Sequence, residues 1–399
     1  MTLRPETLAV HAGRDDLAAL GVHAPPIDLS STYPLLDVEH GGDSYESMAL
    51  GGEPLAAGGM VYQRLWNPTV ARFEGALAAL EGAEAAVAFA SGMAAVTAAV
   101  LASTTAVGRR HVVAVRPLYG GTDHLLASGL LGTETTFCAP GSVRSALRPD
   151  TGLVVLETPA NPTLDLVDVA AVAEQAGDVP VLVDNTFATP VLQQPLRWGA
   201  RMSLHSATKY LGGHGDVVGG VVACDRETAA ALRRVRAVTG GLMHPLAGYL
   251  LHRGLATLPT RVRAQEASAR TLATWLTEHP AVERVHHPAL AEDPDGVVGR
   301  QLLGTGAMVT IEVRGGYEAA RATIEALRVF THAVSLGGVD SLAQHPAALT
   351  HRPVAPDARP AANVVRLSVG LEAVEDLQAD LDQALRAAAR TVGVSALAG

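Results

Sequence analysis

The side chain with the narrowest chemical role in this sequence is Lys209. Of the 30 lysine and arginine residues, 29 are arginine, which leaves Lys209 as the single side-chain amine in 399 residues. An arginine guanidinium keeps its proton in a protein, whereas a lysine amine can lose it and condense with a carbonyl. A chain that uses arginine wherever a positive charge suffices, yet holds one lysine, points to a role for the amine itself. Ser206 and Thr208 stand beside it, two hydroxyls able to hold phosphate oxygens.

Three further groups follow short apolar runs that read as strands, and ligands of open α/β sheets sit at the carboxyl ends of strands. Ala86 to Ala90 leads into Ser91-Gly92-Met93, a small N-cap and a glycine at a helix start, where free backbone N–H groups suit a phosphate. The run ending at Val183 leads into Asp184-Asn185-Thr186. A carboxylate there is costly to bury unless it meets a cation, and a protonated pyridine nitrogen is such a cation. The run ending near Val115 leads to Tyr119-Gly120-Gly121-Thr122, an aromatic ring in glycine-rich surroundings that can stack on a planar cofactor.

The elements that must position these residues are legible in outline. Residues 1–61 are rich in Gly and Pro and weakly periodic, and read as an arm without a core of its own. Over 62–258 β-branched runs such as His111 to Val115, Leu153 to Leu156, Val181 to Val183 and Met202 to His205 alternate with Ala/Leu-rich stretches, the pattern of an α/β domain with a mainly parallel sheet. Residues 259–399 read as a smaller α+β domain, with helices over Arg263 to Leu276, after Tyr317 and over Leu377 to Ala389, and a strand over Met308 to Val313. Gly212-Gly-His-Gly215 does not match dinucleotide-binding spacing and reads as a turn after Lys209.

Composition narrows the partners. A net charge of −10 without a Lys/Arg-rich run argues against nucleic acid and anionic lipid and leaves small molecules. The uncharged stretch Ala85 to Ala102 is broken by Ser91, Gly92 and Thr97 and reads as a buried strand and helix rather than a membrane span. Cys138 and Cys224 cannot build a disulfide framework, and the opening residues show no targeting segment; a cytoplasmic address is expected. The adjacent His286-His287 lacks a spacing suited to joint metal ligation and reads as a solvated pair, so no metal is expected.

At this point the sequence resembles the Cys/Met-metabolism family of pyridoxal 5′-phosphate (PLP) enzymes, which includes cystathionine γ-synthase, cystathionine γ-lyase and methionine γ-lyase. The resemblance runs in order from Glu6-Thr-Leu-Ala-Val-His-Ala-Gly13 and Pro25-Pro-Ile27 through Tyr62-Gln-Arg64, Asn67-Pro-Thr69 and Ser91-Gly-Met93. It continues through Glu157-Thr-Pro-Ala-Asn161-Pro, Asp184-Asn-Thr-Phe187 and His205-Ser-Ala-Thr-Lys209-Tyr, and closes with Ser335-Leu-Gly-Gly338, His345-Pro and Arg366-Leu-Ser-Val-Gly370. It implies PLP-dependent fold type I, the aspartate-aminotransferase-like architecture.

It further implies that Lys209 holds PLP as a Schiff base, Asp184 pairs the pyridinium nitrogen and Tyr119 stacks on the ring. Gly92, Met93, Thr186, Ser206 and Thr208 complete the cofactor contacts, with Tyr62 and Arg64 reaching the phosphate of a neighbouring subunit. Active sites are then shared within a homo-oligomer, a homotetramer built from two dimers. Asn161, Ser335 and Arg366 hold the α-carboxylate of an amino-acid substrate, and Lys209 and Tyr119 move protons.

By the same resemblance the reaction is γ-elimination from methionine, homocysteine or cystathionine, giving a 2-oxo acid and ammonia. Cystathionine-handling members carry a glutamate where this chain has Val334, which cannot pair an ammonium, so an uncharged tail such as that of methionine is favoured. Gly121 departs from the cysteine that methionine γ-lyases usually carry after the stacking tyrosine. Trp66 stands where the family has a small residue and either narrows the tail pocket or simply packs, and the arm before Tyr62 carries an unusually glycine-rich stretch from Gly51 to Gly59. The alternatives are γ-replacement with an incoming thiol, β-elimination, a γ-lyase with a non-thiol leaving group, and a non-catalytic PLP-binding protein.

Overall fold

The computed structural model describes residues 3–56, 58–293, 295–352, 354–355 and 359–393. Seven strands form the larger sheet: β1 (Ala85–Phe89), β2 (His111–Val115), β3 (Glu134–Cys138), β4 (Thr151–Glu157), β5 (Val181–Asp184), β6 (Met202–His205) and β7 (Gly220–Cys224). Their order across the sheet is β1-β7-β6-β5-β4-β2-β3. β7 runs antiparallel to both of its neighbours, while the pairs from β6 to β3 are parallel. β2, β4 and β6 are buried along their whole length, and β5 up to Asp184 at its end, as apolar runs covered on both faces must be.

Helices pack on both faces, and their starts are set by capping side chains. Asn67 Oδ1 accepts from the amides of Thr69 and Val70 at 3.0 and 3.1 Å, with Pro68 in the first turn of the helix Pro68–Glu81. Asp225 accepts from Thr228 N at 2.7 Å at the start of the helix Arg226–Thr239. Each such cap satisfies amides that have no intrahelical partner.

A second sheet follows in the chain: β8 (Val282–His286), β9 (Met308–Val313), β10 (Thr331–His332), β11 (Leu342–Gln344) and β12 (Val364–Ser368), ordered β10-β11-β12-β9-β8. The helices Leu258–Thr277, Gly316–Ala326 and Val374–Thr391 belong to this part of the chain, with Leu272, Ile324, Leu377 and Leu381 in the core cluster they share with β9 and β12.

Several elements differ from the sequence reading or were invisible to it, among them the short helix Pro5–His11 and the strands β8, β10, β11 and β12. The segment before Tyr62 contains a helix, Val38–Ala49, started by Asp37 accepting from His40 N at 2.7 Å; Gly41 and Gly42 within it obscure its periodicity. β7 gave no separate signal because its Val-Val-Ala run has no direction written in it. The expectation of a solvated histidine pair is corrected: His287 is buried, its ring pushed down to about 4 by burial, and His286 Nε2 lies 2.7 Å from Glu312 Oε1. Neighbouring residues on a strand point to opposite sides, and here His287 turns inward while His286 meets Glu312. Among the described residues no helix is long and apolar enough to cross a membrane, and no three His, Cys, Asp or Glu side chains converge as a metal site.

Candidate active site

The ends of β1, β2, β4, β5 and β6 and the loops of the second sheet enclose a cavity of about 280 Å3. Ser91, Gly92, Met93, Tyr119, Asn161, Asp184, Thr186, Ser206, Thr208, Lys209, Val334, Ser335 and Arg366 all line it. Tyr62 and Arg64 do not. Arg64 Nη1 instead donates to Ala237 O at 2.5 Å, and the Tyr62 ring is exposed, with the Arg64 guanidinium 5.7 Å from its centroid.

After β1, Ser91 caps the helix Gly92–Ser103 by accepting from Ala94 N at 3.1 Å. The first amides of that helix face the cavity without intrahelical partners, and the helix dipole adds positive potential there. A Cβ on Gly92 would stand 3.1 Å from Ser206 Cβ and Oγ, so glycine keeps this corner open for an anion. Thr208 contributes less than its type suggests: its hydroxyl donates to Gly219 O at 3.2 Å and accepts from Gly219 N at 3.0 Å.

At the end of β5, Asp184 Oδ1 accepts from Thr186 N at 3.0 Å and Thr186 Oγ1 at 2.5 Å. The same Thr186 hydroxyl accepts from Ser206 N at 2.9 Å, tying β5 to the start of the Lys209 segment. Desolvation raises the Asp184 carboxyl, against the lowering by Thr186, His205 and Lys209. A carboxylate destabilised by burial with one face on a cavity is suited to an arriving cation. Lys209 Nζ donates to Ser335 Oγ at 2.9 Å. Burial first, and then the Arg366 charge, lower this amine to about 8, so its neutral, nucleophilic form is accessible near physiological pH.

Arg366, on β12, is buried and lowered to about 10 by that burial, which leaves it cationic. Nη1 donates to Asn161 Oδ1 at 2.9 Å, and Nη2 to Ser335 O at 2.9 Å and Gln344 Oε1 at 2.5 Å. Three of the five guanidinium donors are thereby used, and buried Nε has no partner among the described residues. Ser335 adopts φ +107°, presenting its hydroxyl to Lys209 and its carbonyl to Arg366 at once. Val334 beside it is 55% exposed at the cavity wall.

Glu157 opens the Glu157-Thr-Pro-Ala-Asn161-Pro motif, and nothing in that motif assigns it a role. At the end of β4, opposite Asp184 on β5, it accepts from Tyr119 N at 2.5 Å and Asn161 N at 3.0 Å. Burial and the neighbouring Asp184 raise it well above the usual carboxylate range. Its signal was available: an acid directly after an apolar strand run, as at Asp184. Thr122, Phe187, Gln344 and Thr350 also line the cavity; no spacing in the sequence relates them. Gly121 is explained by contact, since a Cβ there would lie 2.6 Å from Tyr119 Cε1. A cysteine at this position requires the Tyr119 ring to move.

An amine of lowered pKa, a carboxylate awaiting a cation and an open anion corner at a helix start fit a planar cofactor carrying an aldehyde, a ring nitrogen and a phosphate. Comparison with known proteins agrees. Residues 6–386 match the family described as Cys/Met metabolism PLP-dependent enzyme. The L-methionine gamma-lyase of Brevibacterium sandarakinum is 58% identical over 387 residues, covering 97% of this chain and 98% of that one. That of Streptomyces avermitilis is 58% identical over 385 residues, covering 95% and 88%. The crystal structure of cystathionine gamma synthase from Xanthomonas oryzae pv. oryzae in complex with aminoacrylate and cysteine superposes with a TM-score of 0.88 at 36% identity, over 98% of this chain and 100% of that one. With the match spanning nearly its whole length and the cavity suited to the cofactor, the chain belongs to the Cys/Met metabolism PLP-dependent enzyme family.

Proposed function

We propose that the protein catalyses PLP-dependent γ-elimination from L-methionine, releasing methanethiol, 2-oxobutyrate and ammonia. The observation that carries this is the 58% identity to L-methionine gamma-lyases over nearly the full chain, supported by the apolar Val334 on the cavity wall. A valine there offers a thioether tail an uncharged neighbour and offers a distal ammonium no partner.

Bound PLP supplies an electron sink for negative charge developing on the substrate. The residues of the chain divide the remaining work. Arg366, braced by Asn161 and Gln344, holds the substrate α-carboxylate, with Ser335 alongside. Lys209 would hold the cofactor aldehyde and serve as the base for the substrate Cα proton, and its Nζ is held on the cavity wall by Ser335 Oγ. Asp184 would hold the ring nitrogen in its protonated form. Tyr119 would hold the ring face and supply a proton to the departing sulfur. Gly92, Met93, Thr186, Ser206 and Thr208 form the cofactor cradle within the chain.

Tyr62 and Arg64 lie outside the chain's own cavity and belong, in this reading, to the phosphate site of a neighbouring subunit. Residues 1–61 form the arm that reaches across, 62–258 the cofactor domain and 259–399 the smaller domain. The exposed Leu29, Leu36, Val38 and Leu50 are apolar surface for a second copy to cover, in a homotetramer assembled from two dimers and located in the cytoplasm.

The test is a product assay of the PLP-loaded protein with methionine, homocysteine, cystathionine and O-acetylhomoserine, each with and without added thiol. Release of 2-oxobutyrate and methanethiol from methionine is expected. No turnover of methionine, with a thioether formed from the ester and thiol, would replace elimination by γ-replacement.

Glu157→Gln keeps the shape but turns one acceptor into a donor facing a backbone N–H, so Tyr119 and Asn161 lose their common anchor. We expect kcat/KM for methionine to fall about tenfold to a hundredfold and unfolding stability to fall by roughly 1–3 kcal/mol. Steady-state kinetics and denaturant unfolding measure the two effects separately.

A further inference from the structure

We infer that Trp66 is a positioning residue: with Arg233 and Glu53 it clamps the glycine-rich stretch before Tyr62 and so fixes how Tyr62 and Arg64 are presented to the cofactor phosphate of a neighbouring subunit. The inference rests on the cross-subunit reading of Tyr62 and Arg64 given above. It makes one unit of two features that the sequence showed only as separate departures, Trp66 and the run from Gly51 to Gly59.

The clamp is a stack of three side chains. The Arg233 guanidinium carbon lies 5.2 Å from the centroid of the Trp66 ring, and Arg233 Nη2 reaches Glu53 Oε1 at 3.2 Å. Only 10% of the Arg233 side chain is exposed, against 65% of Glu53, so the cation is shielded on its Trp66 side, where the attraction to the ring is stronger, while the carboxylate side faces water and contributes less. The Trp66 ring packs on a small apolar cluster of Met48, Leu65 and Ala237, which joins the helix Val38–Ala49 to the helix Arg226–Thr239.

Gly51, at the start of the stretch, lies directly on the second of those helices. A Cβ on Gly51 would stand 2.0 Å from Ala230 O, and Gly51 has φ +90°; only glycine lets the backbone lie that close. Ser47 Oγ donates to Glu53 O at 3.0 Å. Ser44 Oγ accepts from Leu55 N at 3.0 Å and donates to Gly59 O at 2.5 Å. Arg64, two residues from Trp66, is tied by Ala237 O to the same helix.

At the end of the stretch, Val61 has φ +49°, a conformation that β-branched residues rarely adopt. Strain of that kind persists where the surroundings over-determine the backbone, and it gathers at functional segments. Val61 O accepts from Tyr33 N at 3.0 Å, and Tyr62 N donates to Met60 O at 2.6 Å. The strained residue immediately precedes the one whose side chain is turned outward.

Trp66 does not line its own chain's cavity around Lys209, and in this inference the clamp acts on the neighbouring subunit's cofactor through Tyr62 and Arg64, at the phosphate. The experiment compares binding of PLP with that of pyridoxal, which lacks the phosphate, to the full-length oligomer after removal of its cofactor. In Trp66→Ala the preference for PLP over pyridoxal falls about tenfold while pyridoxal affinity stays within about twofold. Trp66→Phe restores most of the preference, and Glu53→Ala lowers it about twofold.

Equal weakening of both ligands by Trp66→Ala, or no change in the ratio, overturns the inference. Should Trp66→Ala fail to assemble, an unchanged ratio in Glu53→Ala does the same. Arg64→Ala separates the inference from the reading beneath it. If Arg64→Ala leaves the ratio intact, the cross-subunit reading fails and takes the clamp with it. If Arg64→Ala lowers the ratio and Trp66→Ala does not, the clamp alone is wrong.

Discussion

Lys209→Ala abolishes release of 2-oxobutyrate from methionine, with a loss on the order of 10⁴-fold or more in kcat. No other side chain of this sequence carries an amine, so no neighbour can take over the condensation or the proton transfer at Cα. Borohydride reduction fixes the cofactor covalently to the unaltered protein and leaves Lys209→Ala untagged, which mass spectrometry of the intact chain reads directly. The same amine sets a pH dependence. Burial and Arg366 lower it to about 8, against an opposing pull from Asp184, so the uncharged amine gains population as pH rises toward that value. Cofactor uptake by the resolved protein therefore accelerates up to about pH 8 and then levels off. Uptake that kept rising toward pH 10 would mean that the amine is solvated.

Arg366→Lys keeps the positive charge and loses the fork. Three of the donors now in place hold Asn161, Ser335 and Gln344, and an ammonium cannot span those acceptors and a substrate carboxylate at the same time. We expect kcat/KM for methionine to fall about 10²- to 10³-fold, chiefly through KM. The specific readout is discrimination against 3-(methylthio)propylamine, which has the thioether and the amine of methionine without its carboxylate. The unaltered protein binds this amine far more weakly than methionine, and in Arg366→Lys the gap closes. A gap of undiminished size would place the carboxylate elsewhere in the cavity.

The residues that were legible in the sequence share one property: each follows a strand whose own composition announces it. Ser91-Gly92, Tyr119, Asp184 and Lys209 come at the ends of runs that the structure places as β1, β2, β5 and β6, within about four residues of where the apolar pattern stops. Lys209 was doubly visible because composition isolates it. Glu157 follows β4 in the same way, but its work is to anchor two backbone amides, and no residue type signals that role.

Gln344 and Thr350 were invisible for a different reason. They arrive at the cavity from the second sheet and a loop beyond it, and their closeness to Tyr119 and Arg366 is a property of packing between distant segments. Ser335 and Arg366 were reachable only through resemblance, since neither sits in a pattern whose chemistry can be read alone. Trp66 also stands out only through the resemblance, and its partners Arg233 and Glu53 lie 167 residues after and 13 before it, so that only the fold brings them together.

The placement of the one lysine has a consequence for how the protein acquires its cofactor. PLP is a reactive aldehyde, and in solution it condenses with whatever amines a protein surface presents. Here the cationic surface is built from guanidinium groups, and the single side-chain amine lies inside the cavity, hydrogen-bonded to Ser335. The aldehyde therefore finds one side-chain destination per chain, and that destination is the productive one. Loading is selective by subtraction: every competing lysine is absent, and arginine takes the place of lysine wherever a positive charge is needed.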